Sequence, residues 1–201
     1  MHDEHFLELP DINSHTMYLE PIHCEEIYKI ILSMQDKAGG ADKINAKVLK
    51  CLSTYICVPL EHIFNLCILK SSWPNALKKA EVVPIFKSGN KNIMMNYRPI
   101  SLISNIAKIF ERLVFNRLIK FLNDKSIISD KQFGFLKDIG TKDALAYVSK
   151  QIYEKLNKPT PILATFLDLE KAFDTVNHNI LFKKLSRYGI RGTSLDLLKI
   201  I

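Results

Sequence analysis

Apolar residues recur along this chain at helical spacing in several separate stretches. Ile22, Ile27, Ile30, Ile31 and Met34 fall on one face, which predicts a helix broken at Gly39-Gly40. Ile44, Val48, Leu49 and Leu52 begin a second helical pattern, and Leu60, Ile63, Phe64, Cys67 and Ile68 continue it. Pro59 lies between those two sets and predicts a junction or kink. Trp73-Pro74-Asn75 reads as a turn. The pattern then becomes extended. Val82 to Phe86 reads as a short strand, with Pro84 suggesting an edge or a bulge. A polar turn, Lys87 to Lys91, precedes a second extended run from Tyr97 to Ile103, so the pair predicts a hairpin with a long basic tip. Ser104 is placed to cap a helix carrying Ile106, Ile109, Phe110, Leu113, Val114, Leu118, Phe121 and Leu122 on a broad face, with Arg112, Arg117 and Lys120 mostly off it. Thr141 can cap a further helix to about Leu156. Ile162 to Leu167 is apolar almost throughout, as a buried strand should be, and ends at Asp168. Asn177 can cap a helix to Tyr188 with Gly189 just past its end, and Thr193 starts a last amphipathic stretch. Residues 1–20 show no periodicity and read as a tail or linker. The expected class is α+β.

Composition narrows the function classes. In 201 residues, 47% are hydrophobic and 24% charged, a globular balance, and no apolar run is long enough for a membrane span. The N-terminus is acidic and lacks the apolar core of a secretory signal. Charge is uneven. Residues 1–30 hold seven acids against one base, and the rest of the chain holds 27 bases against 14 acids. A basic body suggests a polyanionic partner, nucleic acid being the common one. Cys24, Cys51, Cys57 and Cys67 form no CxxC pair and read as reduced thiols, mostly core, rather than a zinc site.

Two features suggest chemistry. Asp168 sits at the end of an apolar run, where a carboxylate needs a partner. A divalent cation is one such partner, with the Leu169 carbonyl beside it, and a cap on the following turn is the alternative. Lys87, Lys91 and Arg98 cluster on the expected hairpin as a phosphate clamp or as a solvated loop. The segment KSGNK lacks Walker spacing, and no HExxH, GxSxG or GxGxxG occurs, so hydrolase and dinucleotide-binding classes have no support.

Four segments in order resemble one family. VVPIFKSGNKNIMMNYRPISLISNIAKIFERLVFNRLIKFL (82–122) resembles the fingers region of reverse transcriptases of jockey-like non-LTR retrotransposons. Gln132 to Phe135 with Asp143 to Leu145 resembles the next block. FLDLEKAFDTVNHNILFKKLSRYGI (166–190) resembles the first catalytic motif of the palm, and KAGGADKINAKVLK (37–50) the upstream GxDGIPxxxLK segment. The resemblance covers about residues 25–201. It departs at Lys43 and Asn45, where the family usually has Gly and Pro, and at Leu136, where it often has Arg.

The resemblance implies a right-hand polymerase fold, helix-rich fingers with a β-hairpin and the first part of a palm. Residues 1–20 would be tail or linker, 21–80 a helical N-terminal extension, 81–160 fingers and 161–201 the start of the palm. Asp168 would be a catalytic carboxylate holding Mg²⁺ in the complete enzyme, with the Leu169 carbonyl. Arg98 and Lys87 would grip the incoming nucleotide's phosphates. The backbone of Lys171 and Ala172 would approach the triphosphate, and Phe173 would exclude a ribose 2′-OH. Gln132 and Phe135 would line the template and nucleotide region. The implied partners are an RNA template, a DNA primer and deoxynucleoside triphosphates, with an endonuclease domain of the same polyprotein, no membrane, and the nucleus as the place of action. The family's second carboxylates, its Asp-Asp motif, would follow Ile201, so the resemblance implies that this stretch alone is inactive. The rival expectations are a non-catalytic module that binds RNA or a template–primer, and a transposon remnant without function.

Overall fold

The computed structural model describes residues 14–36, 39–156 and 161–201. In chain order they form α1 (Cys24–Ser33), α2 (Ala46–Cys51), α3 (Ser53–Leu69), β1 (Ala80–Phe86), β2 (Tyr97–Ile103), α4 (Asn105–Asp124), α5 (Thr141–Leu156), α6 (His178–Arg187) and α7 (Gly192–Ile200). Short 3₁₀ turns at Asn75–Lys78 and Met94–Asn96 join them. The chain divides into two compact units, one from the residues up to 121 with 179–201, the other from 122–178. The class is α+β: helices with one small antiparallel sheet.

The first unit is organised around buried faces of α1, α3, α4 and α7. Ile27 and Ile31 of α1, Phe64 of α3, Phe110 and Leu113 of α4 and Leu197 of α7 belong to one cluster. Trp73 completes it. Its indole stacks on Phe110 with centroids 4.4 Å apart, and Phe64 lies 5.0 Å from Phe110. Burying a side chain of this size contributes about 2–3 kcal/mol. The residue read as part of a turn is therefore core.

The helical break falls at Leu52, not Pro59. Asn45 caps α2 by accepting from the Val48 amide at 2.9 Å, and α3 then runs unbroken through Pro59. Pro59 lies on the exposed side of α3, where water can serve the Tyr55 carbonyl that loses its donor. The approach to α1 is latched by polar side chains. Asn65 exchanges two hydrogen bonds with the backbone of Ile22, at 2.7 and 2.9 Å. Arg117 donates to the carbonyls of Glu20 and Pro21 and pairs with Glu26 at 2.9 Å. Within the segment read as tail, Met17 is buried and donates its amide to the Gly189 carbonyl at 2.8 Å, and residues 1–13 lie outside the described residues.

The segment around Gly40 holds the hairpin to α4. A Cβ on Gly40 would come within 2.5 Å of the Ile103 carbonyl carbon, so only glycine permits this approach. Asp42 accepts from the Ser104 hydroxyl at 2.6 Å, and Asn105 donates to the Ile44 carbonyl at 2.8 Å. Ser104 caps α4 as expected, its hydroxyl accepting from the Ile106 amide at 3.1 Å. The family departures acquire reasons here. Lys43 stands at φ 58°, the left-handed conformation that glycine adopts freely, and Asn45 replaces a proline with a capping side chain.

The end of α6 also follows expectation. Gly189 has φ 97°, its amide meets the Ser186 carbonyl, and the Ile190 amide reaches back to Leu185 at 3.0 Å. That pair of bonds is a Schellman ending, with Ile190 fully buried beyond it.

In the second unit α5 forms over the expected range, with Thr141 as its first residue and not its cap, and none of its residues is buried. Asp143 reaches back to the Gly140 amide at 2.8 Å and closes its N-terminus. The strand expected over Ile162–Leu167 does not form: residues 161–169 have no regular secondary structure and are exposed. A buried strand needs ladder partners and cover on both faces. Among the described residues the only ladder is β1 with β2.

Candidate functional site

The expected site residues fall in both units. Lys87 and Arg98 belong to the first. Gln132, Phe135, Asp168, Leu169, Lys171, Ala172 and Phe173 belong to the second.

β1 and β2 pair antiparallel, with Ile85 opposite Arg98 and Phe86 opposite Tyr97. Pro84 faces Pro99. Neither has an N–H to give, and a step of the ladder without hydrogen bonds is where two prolines can oppose each other. The next bonded step beyond β1 is Lys87, whose amide donates to Asn96 at 2.8 Å. Because side chains alternate across a strand, Lys87 and Arg98 share one face of the ribbon. Lys91 does not join them. Its ammonium sits over the Phe86 ring at 5.8 Å, and Phe86 meets Tyr97 edge-on on the opposite face. The three-base cluster read from the sequence is thus divided into a pair and a single.

The hairpin tip is built, not loose. Asn90 accepts from the Asn92 amide at 2.9 Å and its carbonyl accepts from the Asn96 side chain at 2.8 Å. Gly89 turns at φ 88°, and a Cβ there would press on the Asn96 amide at 2.8 Å. The Tyr97 hydroxyl donates to the Lys91 carbonyl at 2.9 Å. The tip holds Lys87 and Arg98 at fixed registers, both exposed, and among the described residues neither pairs with an acidic side chain. Two exposed cations on one face of a hydrogen-bonded ribbon suit a phosphate.

In the second unit, Gln132 donates its side-chain amide to the Gly134 carbonyl at 3.1 Å, so it shapes the turn that carries Phe135. Lys131 lies over the Tyr147 ring at 4.8 Å and pairs with Asp130 at 3.0 Å. Tyr147 and then Asp130 push its ammonium pKa up. Phe133 packs on the same Tyr147, at 5.5 Å, and ties the turn to α5.

Asp168 and Leu169 lie on the exposed irregular segment, just before a turn spanning 170–175. That turn closes on the Lys171 carbonyl, which accepts from the Thr175 amide at 3.1 Å and from its hydroxyl at 3.2 Å. Among the described residues, the bonds that close this turn come from Thr175 and not from Asp168. Lys171 itself has φ 51°. Phe173 is exposed, and its ring meets that of Phe135 edge-to-face at 6.0 Å. Of the expected residues in this unit, these two are in ring contact.

The fit to a metal is limited. Among the described residues no three His, Cys, Asp or Glu side chains gather as a metal site. Asp168 offers one exposed carboxylate, which does not by itself make a two-metal centre.

Sequence reasoning missed two features of the first unit. Arg117 reads as a surface base but is a latch on residues 20–26. A groove of about 660 Å³ runs between α1, α4 and α7, lined by Ile30, Met34, Val114, Phe115 and Leu198. Desolvation beside it pushes the Glu111 carboxyl up, with Lys108 opposing. No helix among the described residues is long and apolar enough to cross a membrane.

A family model described as "Reverse transcriptase (RNA-dependent DNA polymerase)" matches residues 85–199. The chain is 32% identical over 186 residues to a probable RNA-directed DNA polymerase from transposon BS of Drosophila melanogaster, covering 89% of this chain and 20% of that protein. It is also 32% identical to the RNA-directed DNA polymerase from mobile element jockey of the same fly, covering 92% and 20%. A retrovirus-related Pol polyprotein from the type-1 retrotransposable element R2 of Popillia japonica is 26% identical over 175 residues, covering 87% and 23%. The chain spans about a fifth of the length of the curated relatives it matches.

Proposed function

Since this chain belongs to the reverse transcriptase (RNA-dependent DNA polymerase) family, as a domain of the non-LTR retrotransposon kind, we propose that it supplies the nucleotide-handling part of an RNA-templated DNA polymerase. The observation that carries this is the family match over 85–199, which contains both the Lys87–Arg98 face and the Asp168–Phe173 segment. The fingers of a right-hand polymerase would lie in 81–160 and the start of its palm in 161–201, after a helical extension over 21–80.

In the complete enzyme a primer 3′-hydroxyl attacks the α-phosphorus of a deoxynucleoside triphosphate. A phosphodiester bond forms and pyrophosphate leaves. Such transfers depend on positioning and on neutralising phosphate charge. Arg98 offers the triphosphate a planar fork, and Lys87 on the same face offers a point charge. In the second unit, the backbone near Lys171 and Ala172 is the stretch the family resemblance assigns to phosphate. Phe173 presents a ring that a ribose 2′-hydroxyl would strike, and Gln132 and Phe135 line the template side. Reverse transcriptases use divalent metal ions. Mg²⁺ is the ion proposed here, and Asp168 with the Leu169 carbonyl is this chain's contribution to holding it. Asp168 offers one carboxylate, and a two-metal centre needs further ligands beside it. The partners are an RNA template and a DNA primer, in a nuclear setting, with an endonuclease domain of the same polyprotein.

Photo-crosslinking tests the assignment. An azido-deoxynucleoside triphosphate, presented with an RNA-template–DNA-primer duplex, should label peptides containing Arg98 or Phe173, and unmodified deoxynucleotide should compete. Label spread evenly over the chain, insensitive to competition, would refute it.

A further inference from the structure

Phe135 and Phe173 sit on two turns far apart in the chain. They are 86% and 78% exposed, and among the described residues neither ring meets a third. They meet each other edge-to-face, with centroids 6.0 Å apart and planes at 87°. That is a preferred geometry for two quadrupolar rings. Both turns are strained. Phe135 has φ 62°, and Lys171, two residues before Phe173, has φ 51°. A bulky side chain enters the left-handed region against a steric penalty, and strain of this kind gathers at functional sites. The Gln132 bond to the Gly134 carbonyl holds the first turn, and the Thr175 bonds to Lys171 hold the second. Each backbone is fixed by its own turn, and each side chain is left to its neighbour ring.

We propose that Phe135 is a positioning residue: its ring fixes the ring of Phe173, and through that contact sets the preference for deoxyribose over ribose. The inference rests on reading Phe173 as the ring that faces the nucleotide sugar. Discrimination by a ring against one hydroxyl is steric, so it requires the ring to hold one rotamer. An exposed phenyl with no neighbour samples several. Phe135 restricts that freedom through the ring contact.

The test uses the 201-residue chain with two readouts. In the first, ¹³C-labelled phenylalanine gives a cross-ring nuclear Overhauser effect between Phe135 and Phe173. Its absence overturns the proposal whatever the nucleotide does. In the second, affinities for Mg²⁺-dATP, Mg²⁺-ATP and inorganic tripolyphosphate are compared on a template–primer duplex. Wild type should prefer dATP. Phe135→Ala should lower the dATP/ATP ratio at least fivefold and lower dATP affinity more than tripolyphosphate affinity, and Phe135→Tyr should keep the wild-type ratio. A general structural lesion would lower all three affinities together. Phe135→Leu serves if the alanine variant loses helical circular dichroism. An unchanged ratio in the alanine or leucine variant overturns the proposal. A wild-type chain without preference, the cross-ring effect being present, refutes the sugar-facing reading of Phe173 and this inference with it.

Discussion

Replacing Phe110 by alanine should remove a large share of the stability of the first unit. Phe110 is fully buried, stacks on Trp73 at 4.4 Å and meets Phe64 at 5.0 Å. Truncating a buried phenylalanine costs about 3–5 kcal/mol, made up of lost transfer energy and the cavity left behind. Two aromatic contacts, each worth about 0.5–1.5 kcal/mol beyond area burial, place the change toward the upper end. Trp73 is the only tryptophan in the chain and lies in this cluster, so its emission reports this unit alone. With a urea dependence of about 2 kcal/mol per molar, the unfolding midpoint should fall by roughly 2 M. Leu69→Ala, at an exposed position of α3, should shift it by less than about 0.3 M. A Phe110→Ala midpoint within about 0.5 M of wild type would refute the placement of α4 and Trp73 in one core.

Lys43→Gly should stabilise the chain by about 0.5–1 kcal/mol in thermal melts, because it relieves φ 58° and loses only an exposed ion pair to Glu81. A lower melting temperature would contradict this. The Cys24 thiol donates to Glu61, and that bond first, then desolvation, pushes its pKa up to about 11. At pH 8 iodoacetamide should therefore alkylate exposed Cys51 well ahead of Cys24, and equal rates would refute the contact. The folded value lies above the ordinary 9.0, so the stability this bond contributes is whole below pH 9 and is lost as pH rises towards 11. Cys24→Ser should flatten that alkaline decline in denaturant midpoints.

What was legible in the sequence is what is local. The Ser104 cap, the Gly189 ending of α6 and the extent of α5 each follow from residues within one or two turns. The hairpin was also legible, because its two extended runs flank a polar turn. What failed depends on partners elsewhere in the chain. An apolar run such as 162–167 reads as a strand only if a sheet accepts it, and no pattern within the run says so. Trp73, a lone apolar residue beside a proline, carries no period to mark it as core. Arg117 looks like surface charge because its acceptors are backbone carbonyls at 20 and 21, invisible to composition. At the candidate site, residue types were legible but their grouping was not. Strand register separates Lys91 from Lys87 and Arg98, and tertiary contact joins Phe135 to Phe173.

Fluorescence anisotropy of a labelled RNA-template–DNA-primer duplex, titrated with the purified chain at rising salt, tests the central claim most directly. The account predicts that log affinity falls linearly with log salt, and that a deoxynucleoside triphosphate added to the complex binds more weakly to Arg98→Ala than to the wild type. Affinity that stays flat as salt rises, or nucleotide affinities that are equal in the two, would contradict it.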